Sequence, residues 1–356
     1  MEREPELRCL IAAGGTAGHV LPALAVAEAL RARGVLVTWA GSPERAEARL
    51  VPAAGYELDA FRITGFPRRP GLPLVRSLVQ AGRAPLACRR ILARRRPDVV
   101  LGGGGYVAGP MVLAARTLGI PAALTEADAH LGLANRLAAP FARRVFLSFP
   151  IGGLGPPKYE VTGRPIPARS RPVPREEARA RLGLPLEGPL LLVFGGSLGA
   201  RSLNEEVVEA FGGAGPAVLH LCGERDYERL RRRVRRDDYR LIAFTDDFGA
   251  ALGAADLAVA RAGGSVWELA AASLPALLVP YPHATADHQT RNARHFERAG
   301  GAVVVPETEL GSLPALARSL LGDERRRREM AAAMRAAARP DAAETIAEEL
   351  VALARR

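Results

Sequence analysis

The sequence predicts an α/β protein built as two similar halves in series, each a doubly wound, Rossmann-like parallel sheet. Three observations predict it. Short apolar strands alternate with helix-length segments, glycine-rich turns follow the strands, and a proline-rich stretch interrupts the pattern near the middle. At 356 residues the chain is long for one core and suits two domains of ordinary size.

The first half opens with the apolar strand LRCLIAA, the turn at Gly14 and Gly15, and a helix through LPALAVAEALRARG that stops at Gly34. VLVTWAG is the next strand, with a helix over Pro43 to Ala54. DVVLGGGGYVAGPMVLAARTLG repeats strand, glycine turn and helix, and IPAALTEAD and RRVFLSF supply further strands. From Pro150 to Pro174 seven prolines remove helical periodicity, so the domain boundary is placed there, with residues 1–163 as one domain and 164–356 as the other. The strand-like YEVTG inside that stretch fits either half.

The second half restarts with GPLLLVFGGSLGARSLNEEVVEAF, read as strand, Gly195 and Gly196, then helix. AVLHLCG and YRLIAFTDDF are strands, and Leu257 to Ala260 is a short strand running into Gly263 and Gly264, with a helix starting at Ser265. The segment from Pro314 is helical, basic and alanine-rich, and its last helix is expected either to stay with the second half or to pack back on the first. Ligands of open parallel sheets bind beyond the carboxyl ends of the strands. Two halves facing each other would place four glycine turns, after Ala13, Leu101, Phe194 and Ala262, around one cleft.

Composition excludes several classes. The cysteines Cys9, Cys88 and Cys222 are scattered and lack CxxC spacing, so neither a disulfide framework nor a zinc site is indicated. The segment MEREPELR has no apolar h-region, and no apolar run is long enough to span a bilayer, so neither export nor a membrane span is expected. The net charge of +11 is almost all arginine, Lys158 being the only lysine. Aromatic residues make up 5% and none interleaves with the arginines, which argues against nucleic acid and for phosphate-bearing or lipid partners.

The candidate sites follow the turns. GGTAGH does not match GxGxxG, and the second strand ends in Trp39, Ala40 and Gly41 where a dinucleotide site needs an acidic residue; GxxxxGK[ST] is absent. His19 follows two glycines near a helix start, whose positive end favours a neutral, proton-accepting imidazole; the alternative is a histidine that bonds nearby backbone. Gly102 to Gly105 permit close backbone approach, and Tyr106 offers a ring or hydroxyl. Arg201 reads equally as a phosphate ligand or a solvated residue. Asp246 and Asp247 are read as helix caps rather than metal ligands. Glu268 stands three residues after Ser265, which reads either as a capping box or as a ligand contact beside a phosphate-binding helix start. His283, Asp287, His288, Gln289 and Asn292 fall on a polar loop after a buried strand.

GGTAGHVLPALAVAEAL, VVLGGGGYVAGP, TEADAHLGLANRLAA, GGSLGARSLN, FTDDF and RAGGSVWELAAASLPALLVPYPHATADHQTRNA stand in the order and approximate spacing of the MurG family, which the chain resembles over residues 8–305. The resemblance implies the two-domain GT-B glycosyltransferase fold. It also implies transfer of N-acetylglucosamine from UDP-N-acetylglucosamine to the 4-hydroxyl of undecaprenyl-pyrophosphoryl-N-acetylmuramoyl-pentapeptide, in peptidoglycan synthesis. Alternatives are a related transferase with another lipid or natural-product acceptor, and a nucleotide-sugar binding protein without turnover.

On the donor side the resemblance implies Thr16, Gly18, Ser197, Phe244 and Thr245 (along the uracil), Gly263, Gly264 and Ser265 (at the diphosphate), Glu268 (on the ribose), and His288 and Gln289 (on the sugar). On the acceptor side it implies Gly15, Gly104, Tyr106, Glu126, Asp128, Asn135 and Arg164, with His19 as catalytic base. The family commonly has His-Glu-Gln-Asn where this chain reads Thr125, Glu126, Ala127 and Asp128, GNPVR where it reads GRPIP from Gly163, and Gln at Leu198; Arg164 is the substitute expected for the missing arginine. Neither a cofactor nor a metal is expected, since no DxD motif is seen and the helix start at Ser265 is expected to take the charge of the leaving diphosphate. A lipid-linked acceptor implies peripheral contact with the cytoplasmic face of an anionic membrane. Pro67 to Arg90 has the composition for it, with Leu74, Val75, Leu78 and Val79 beside Arg76 and Arg83; the alternative is an ordinary amphipathic helix with a basic face.

Overall fold

The computed structural model describes residues 7–63, 72–196 and 199–356 and, within them, every side chain except those of residues 72–79 and 81. Residues 1–167 and 340–356 form one compact unit and residues 168–339 a second. The chain thus crosses at Pro167/Ala168 rather than after Gly163, which leaves Arg164 in the first unit, and the C-terminal segment returns to that unit.

The first unit carries a seven-stranded sheet of β1 (Arg8–Ala13), β2 (Leu36–Gly41), β3 (Leu58–Ala60), β4 (Val99–Gly104), β5 (Ala122–Glu126), β6 (Arg144–Leu147) and β7 (Tyr159–Val161), in the order β3-β2-β1-β4-β5-β6-β7. Every neighbouring pair is parallel. YEVTG is therefore the edge strand of the first sheet, beside β6. Its helices are α1 (Ala17–Ala32), α2 (Ala46–Ala53), α3 (Leu72–Arg95), α4 (Ala108–Thr117) and α5 (Leu133–Ala138). A strand buried on both faces must be apolar throughout, and β1 shows it from Cys9 to Ala13. Ile11 and Val37 face the layer of α1 and α2, completed by Ile346 and Leu350 near the end of the chain. Leu10, Val100 and Leu124 face the layer of α3 and α4.

The second unit holds α6 (Arg175–Leu182), β8 (Leu190–Phe194), α7 (Arg201–Phe211), β9 (Ala217–Leu221), α8 (Glu224–Leu230), β10 (Tyr239–Ile242), α9 (Phe248–Ala254) and β11 (Leu257–Ala260). It continues through α10 (Val266–Ala271), β12 (Ala276–Leu278), α11 (His288–Arg298), β13 (Ala302–Val304), α12 (Leu313–Gly322) and α13 (Glu324–Ala337), while α14 (Ala342–Ala354) closes the first unit. Its six parallel strands run β10-β9-β8-β11-β12-β13. Leu191, Val193, Val259 and Leu277 are fully buried against Leu203, Val207 and Phe211 of α7.

Strand order reverses once in each sheet, between β1 and β4 in the first and between β8 and β11 in the second. A crevice opens at such a switch point because the flanking helices leave in opposite directions. The four glycine turns read from the sequence follow these four strands, so in each unit two of them stand side by side.

Candidate functional site

In the first unit the two turns touch. The Gly14 N–H donates to the Gly104 carbonyl at 3.3 Å, and a Cβ on Gly105 would lie 2.2 Å from the Gly14 oxygen. Gly104 and Gly105 take φ of 104° and 76°, which L side chains rarely adopt. Gly104 also lies beneath the His19 ring, its Cβ position being 2.6 Å from Cδ2. The Trp39 indole caps the Ala13 carbonyl at 2.9 Å, a structural use for the residue that stands where a dinucleotide site needs an acid.

His19 lies in the first turn of α1, which begins at Ala17, ahead of the start read from the sequence. Its ring is half-buried, with Thr16 Oγ1 3.4 Å from Nδ1 and the Gly14 carbonyl as a hydrogen-bond partner. Burial and the neighbouring Arg164 guanidinium hold the imidazole below its ordinary pKa, against the opposing pull of Asp128, Gly14 and Glu47. The group is thereby neutral at pH 7 and free to accept a proton.

Several of the residues expected at the acceptor do internal work. The Gly15 N–H, expected to face a ligand, donates to Glu47 Oε2 at 2.8 Å; the N–H groups of Thr16, Ala17 and Gly18 are the ones without an acceptor among the described residues. Glu126 is buried and accepts from Gly132 N at 2.9 Å, Asp128 N at 3.2 Å and Asn135 Nδ2 at 2.9 Å, which staples the loop over residues 126–135. Burial pushes its carboxyl up, although these bonds oppose the shift. Asn135, also buried, donates a second bond to the Thr125 carbonyl at 2.9 Å. Tyr106 is exposed, Asp128 is half-buried beside His19, and Arg164 is buried with Nη2 donating to the Gly18 carbonyl.

In the second unit α10 begins at Val266, so Ser265 is the residue before the helix and makes no side-chain cap bond; its half of the expected capping box is not formed. The N–H groups of Gly263, Gly264 and Ser265 have no acceptor among the described residues. Gly263 has ordinary φ, and a Cβ there would meet nothing within 4 Å. Neither backbone conformation nor crowding demands a glycine here, so its use is to leave the approach to these amides open. Glu268 stands half-buried one turn further on. Phe244 is exposed on the segment after β10, and Thr245 Oγ1 accepts from Asp247 N at 3.1 Å. Asp247 caps α9, accepting from Ala250 N at 3.2 Å, as its sequence position suggested.

The polar loop before α11 is strained. Ala286 and Asp287 both have φ of 52°, a left-handed conformation that costs non-glycine residues roughly 1–2 kcal/mol each. Thr290 Oγ1 donates to Asp287 Oδ1 at 2.6 Å and holds it. His288, Gln289 and Asn292, read from the sequence as loop residues, lie instead in α11, and Gln289 Oε1 accepts from Tyr281 N at 2.9 Å. His288 Nδ1 bonds the Thr285 carbonyl at 2.9 Å, which leaves Nε2 as its other polar atom. Ser197 lies outside the described residues, as do the side chains of Leu74, Val75, Arg76, Leu78 and Val79. Arg83 of α3 is exposed.

Sequence reading missed the supports behind these turns. Glu47 is fully buried under the first turn and also accepts from Ser42 N at 2.9 Å. Cβ atoms on Gly14 or Gly41 would stand 2.2 Å and 2.7 Å from Glu47 atoms, so that pair of glycines was the available signal. Arg261, buried at the end of β11, donates to the Val279 and Pro280 carbonyls at 3.3 Å, to Ser202 Oγ at 3.0 Å and to Glu307, and covers the Tyr281 ring at 5.6 Å. Burial pushes the Glu307 carboxyl up, but the Arg261 and Ser202 hydrogen bonds outweigh it and hold the group below its usual range. Asn292, fully buried, donates to the Ala262 carbonyl at 3.2 Å and ties α11 to the same turn. A lone arginine closing an apolar strand was the cue.

Among the described residues no group of three or more His, Cys, Asp or Glu is placed to hold a metal ion, and no helix is long and apolar enough to cross a membrane.

Comparison with known proteins gives this geometry a family. Residues 9–147 match the glycosyltransferase family 28 N-terminal domain and residues 190–346 its C-terminal domain. The chain is 45% identical, over 95% of its length and 96% of the relative's, to the UDP-N-acetylglucosamine--N-acetylmuramyl-(pentapeptide) pyrophosphoryl-undecaprenol N-acetylglucosamine transferase of Halorhodospira halophila. The crystal structure of Acinetobacter baumannii MurG superposes with a TM-score of 0.79 at 30% identity, covering 98% of this chain and 100% of that one. The glycotransferase of kitacinnamycin, at 19% identity and a TM-score of 0.70 over 98% of this chain and 100% of that one, shares the fold alone. With its paired parallel-sheet units and both family 28 domains, the chain belongs to the MurG family of GT-B glycosyltransferases.

Proposed function

We infer that this chain transfers N-acetylglucosamine from UDP-N-acetylglucosamine to a lipid-linked muramoyl-pentapeptide, a step of peptidoglycan synthesis. The observation that carries the reading is His19, held neutral at the switch point of the first sheet in a chain with both family 28 domains.

In this reading the acceptor 4-hydroxyl attacks the anomeric carbon from the face opposite UDP, and His19 takes the hydroxyl proton. Inversion gives a β-1,4 link. General base catalysis of this kind supplies about 10²- to 10⁴-fold. The leaving diphosphate gains charge as the bond breaks, and the open amides of Gly263 to Ser265 are the preorganised donors for it. Glu268 serves the ribose, Phe244 and Thr245 the uracil, and Gln289 and His288 the sugar hydroxyls. Asp128, Tyr106 and Arg164 serve the acceptor, while Glu126 and Asn135 shape its loop.

The acceptor's lipid calls for peripheral contact with the cytoplasmic face of the membrane. Supporting this, Leu133 and Leu137 of α5 and Phe141 just after it are exposed at helical spacing, and Leu86 of α3 is exposed on the same side of the sheet. Arg83, Arg89, Arg90, Arg136 and Arg143 belong to the same two segments.

The test is purified protein with labelled UDP-N-acetylglucosamine and lipid-linked muramoyl-pentapeptide. Transfer is expected, and His19→Ala should abolish most of it without weakening binding of either substrate. Donor binding without transfer to this acceptor would instead point to a different acceptor, or to binding without turnover.

A further inference from the structure

α1 contains Pro22. A helical carbonyl takes its hydrogen bond from the N–H four residues on, and proline has none. The carbonyl left without that donor is Gly18, the residue before His19. Arg164, remote in sequence on the stretch after β7, supplies the missing bond through Nη2. The same nitrogen lies 3.9 Å from the Cβ position of Gly18, and the side chain is buried. A break in the hydrogen bonding of α1 thus fixes a cation next to the imidazole.

The charged groups facing His19 come from three further segments. Arg164 follows β7, Asp128 follows β5, and Glu47 belongs to α2; the Gly14 carbonyl and Thr16 hydroxyl belong to its own turn. Two carboxylates and a carbonyl favour the imidazolium; burial opposes them most, and Arg164 is the cation that adds to it. We propose that Arg164 is a positioning residue for His19, anchored on the carbonyl that Pro22 leaves open, so that a cation is held beside the imidazole. The proposal rests on the reading of His19 as the base.

The test follows the His19 ring by NMR titration of the full chain, its resonance assigned by its loss in His19→Gln, together with the pH profile of kcat/KM. Arg164→Gln should raise the His19 titration midpoint by about one pH unit and move the acid limb of activity up with it. Arg164→Lys keeps the charge and should leave the His19 titration midpoint near that of the wild type, whatever it does to acceptor binding. Pro22→Ala gives Gly18 a helical donor that competes with Arg164, so a smaller upward shift should accompany a higher Tm, whereas a merely structural disturbance would lower Tm. An unchanged His19 titration in Arg164→Gln overturns the proposal, and an unchanged one in Pro22→Ala removes Pro22 from it. If the titration moves and the acid limb does not, the positioning stands and His19 is not the base.

Discussion

The Glu47 carboxylate accepts the Gly15 N–H at 2.8 Å, and this one bond converts an amide that looks ligand-facing in the sequence into a structural one. Its other oxygen takes the Ser42 N–H, so one buried side chain fastens the turn after β1 to the turn after β2.

Glu47→Gln keeps the shape but turns one acceptor into a donor facing a backbone donor. It should cost about 1–3 kcal/mol, read as a fall in Tm. Glu47 also pulls the His19 pKa upward, so its loss should move the acid limb of activity to lower pH, opposite in sign to Arg164→Gln. Limbs that shift the same way in both variants would show that charge is not what sets His19.

Two glycines should respond differently to the same methyl group. Gly104→Ala places Cβ against the His19 ring at a φ of 104° and should lower kcat by about 100-fold, because small displacements of a reacting group are that expensive. Gly263→Ala meets no neighbour and no unfavourable φ, so Tm should hold while KM for UDP-N-acetylglucosamine rises. A drop in Tm for Gly263→Ala with unchanged KM would make that turn structural.

Breaking the pair of buried Arg261 and half-buried Glu307 behind the donor turn should be costly. Arg261→Met leaves the Glu307 carboxylate without its cation, and Glu307→Leu leaves the guanidinium without its anion; each should cost about 1–3 kcal/mol. The double variant should cost less than the sum of the two, which a denaturant-unfolding cycle measures. Additive losses would mean that the two groups do not depend on each other.

For the membrane, Leu133→Glu with Leu137→Glu should reduce flotation with anionic vesicles while leaving Tm unchanged, since both side chains are exposed. Raised salt should weaken binding of the wild type through the arginines. Vesicle binding that ignores both changes would place the contact elsewhere.

How much of the site was legible depended on distance along the chain. His19, the glycine turns and the capping role of Asp247 were visible because a strand, a turn and a helix start are local signals a few residues long. Glu47 was not, because it stands in the charged stretch PERAEARL of a predicted helix and only the room left by Gly14 and Gly41 betrays its burial. The same holds for Glu126, which resembles a ligand in sequence but spends its oxygens on its own loop.

The sequence by itself determined the parallel α/β halves, the four turns and the family, since periodicity, glycine placement and motif order are written in one dimension. Tertiary structure alone decided which polar groups are left over for a ligand. A buried hydrogen-bonding group must be satisfied, and its partner here is often remote: Arg164 reaches Gly18, Glu307 reaches Arg261, and Asn292 reaches Ala262. Only once those pairings are made do the amides of Thr16 to Gly18 and of Gly263 to Ser265 stand out as groups at the switch-point turns without an acceptor among the described residues.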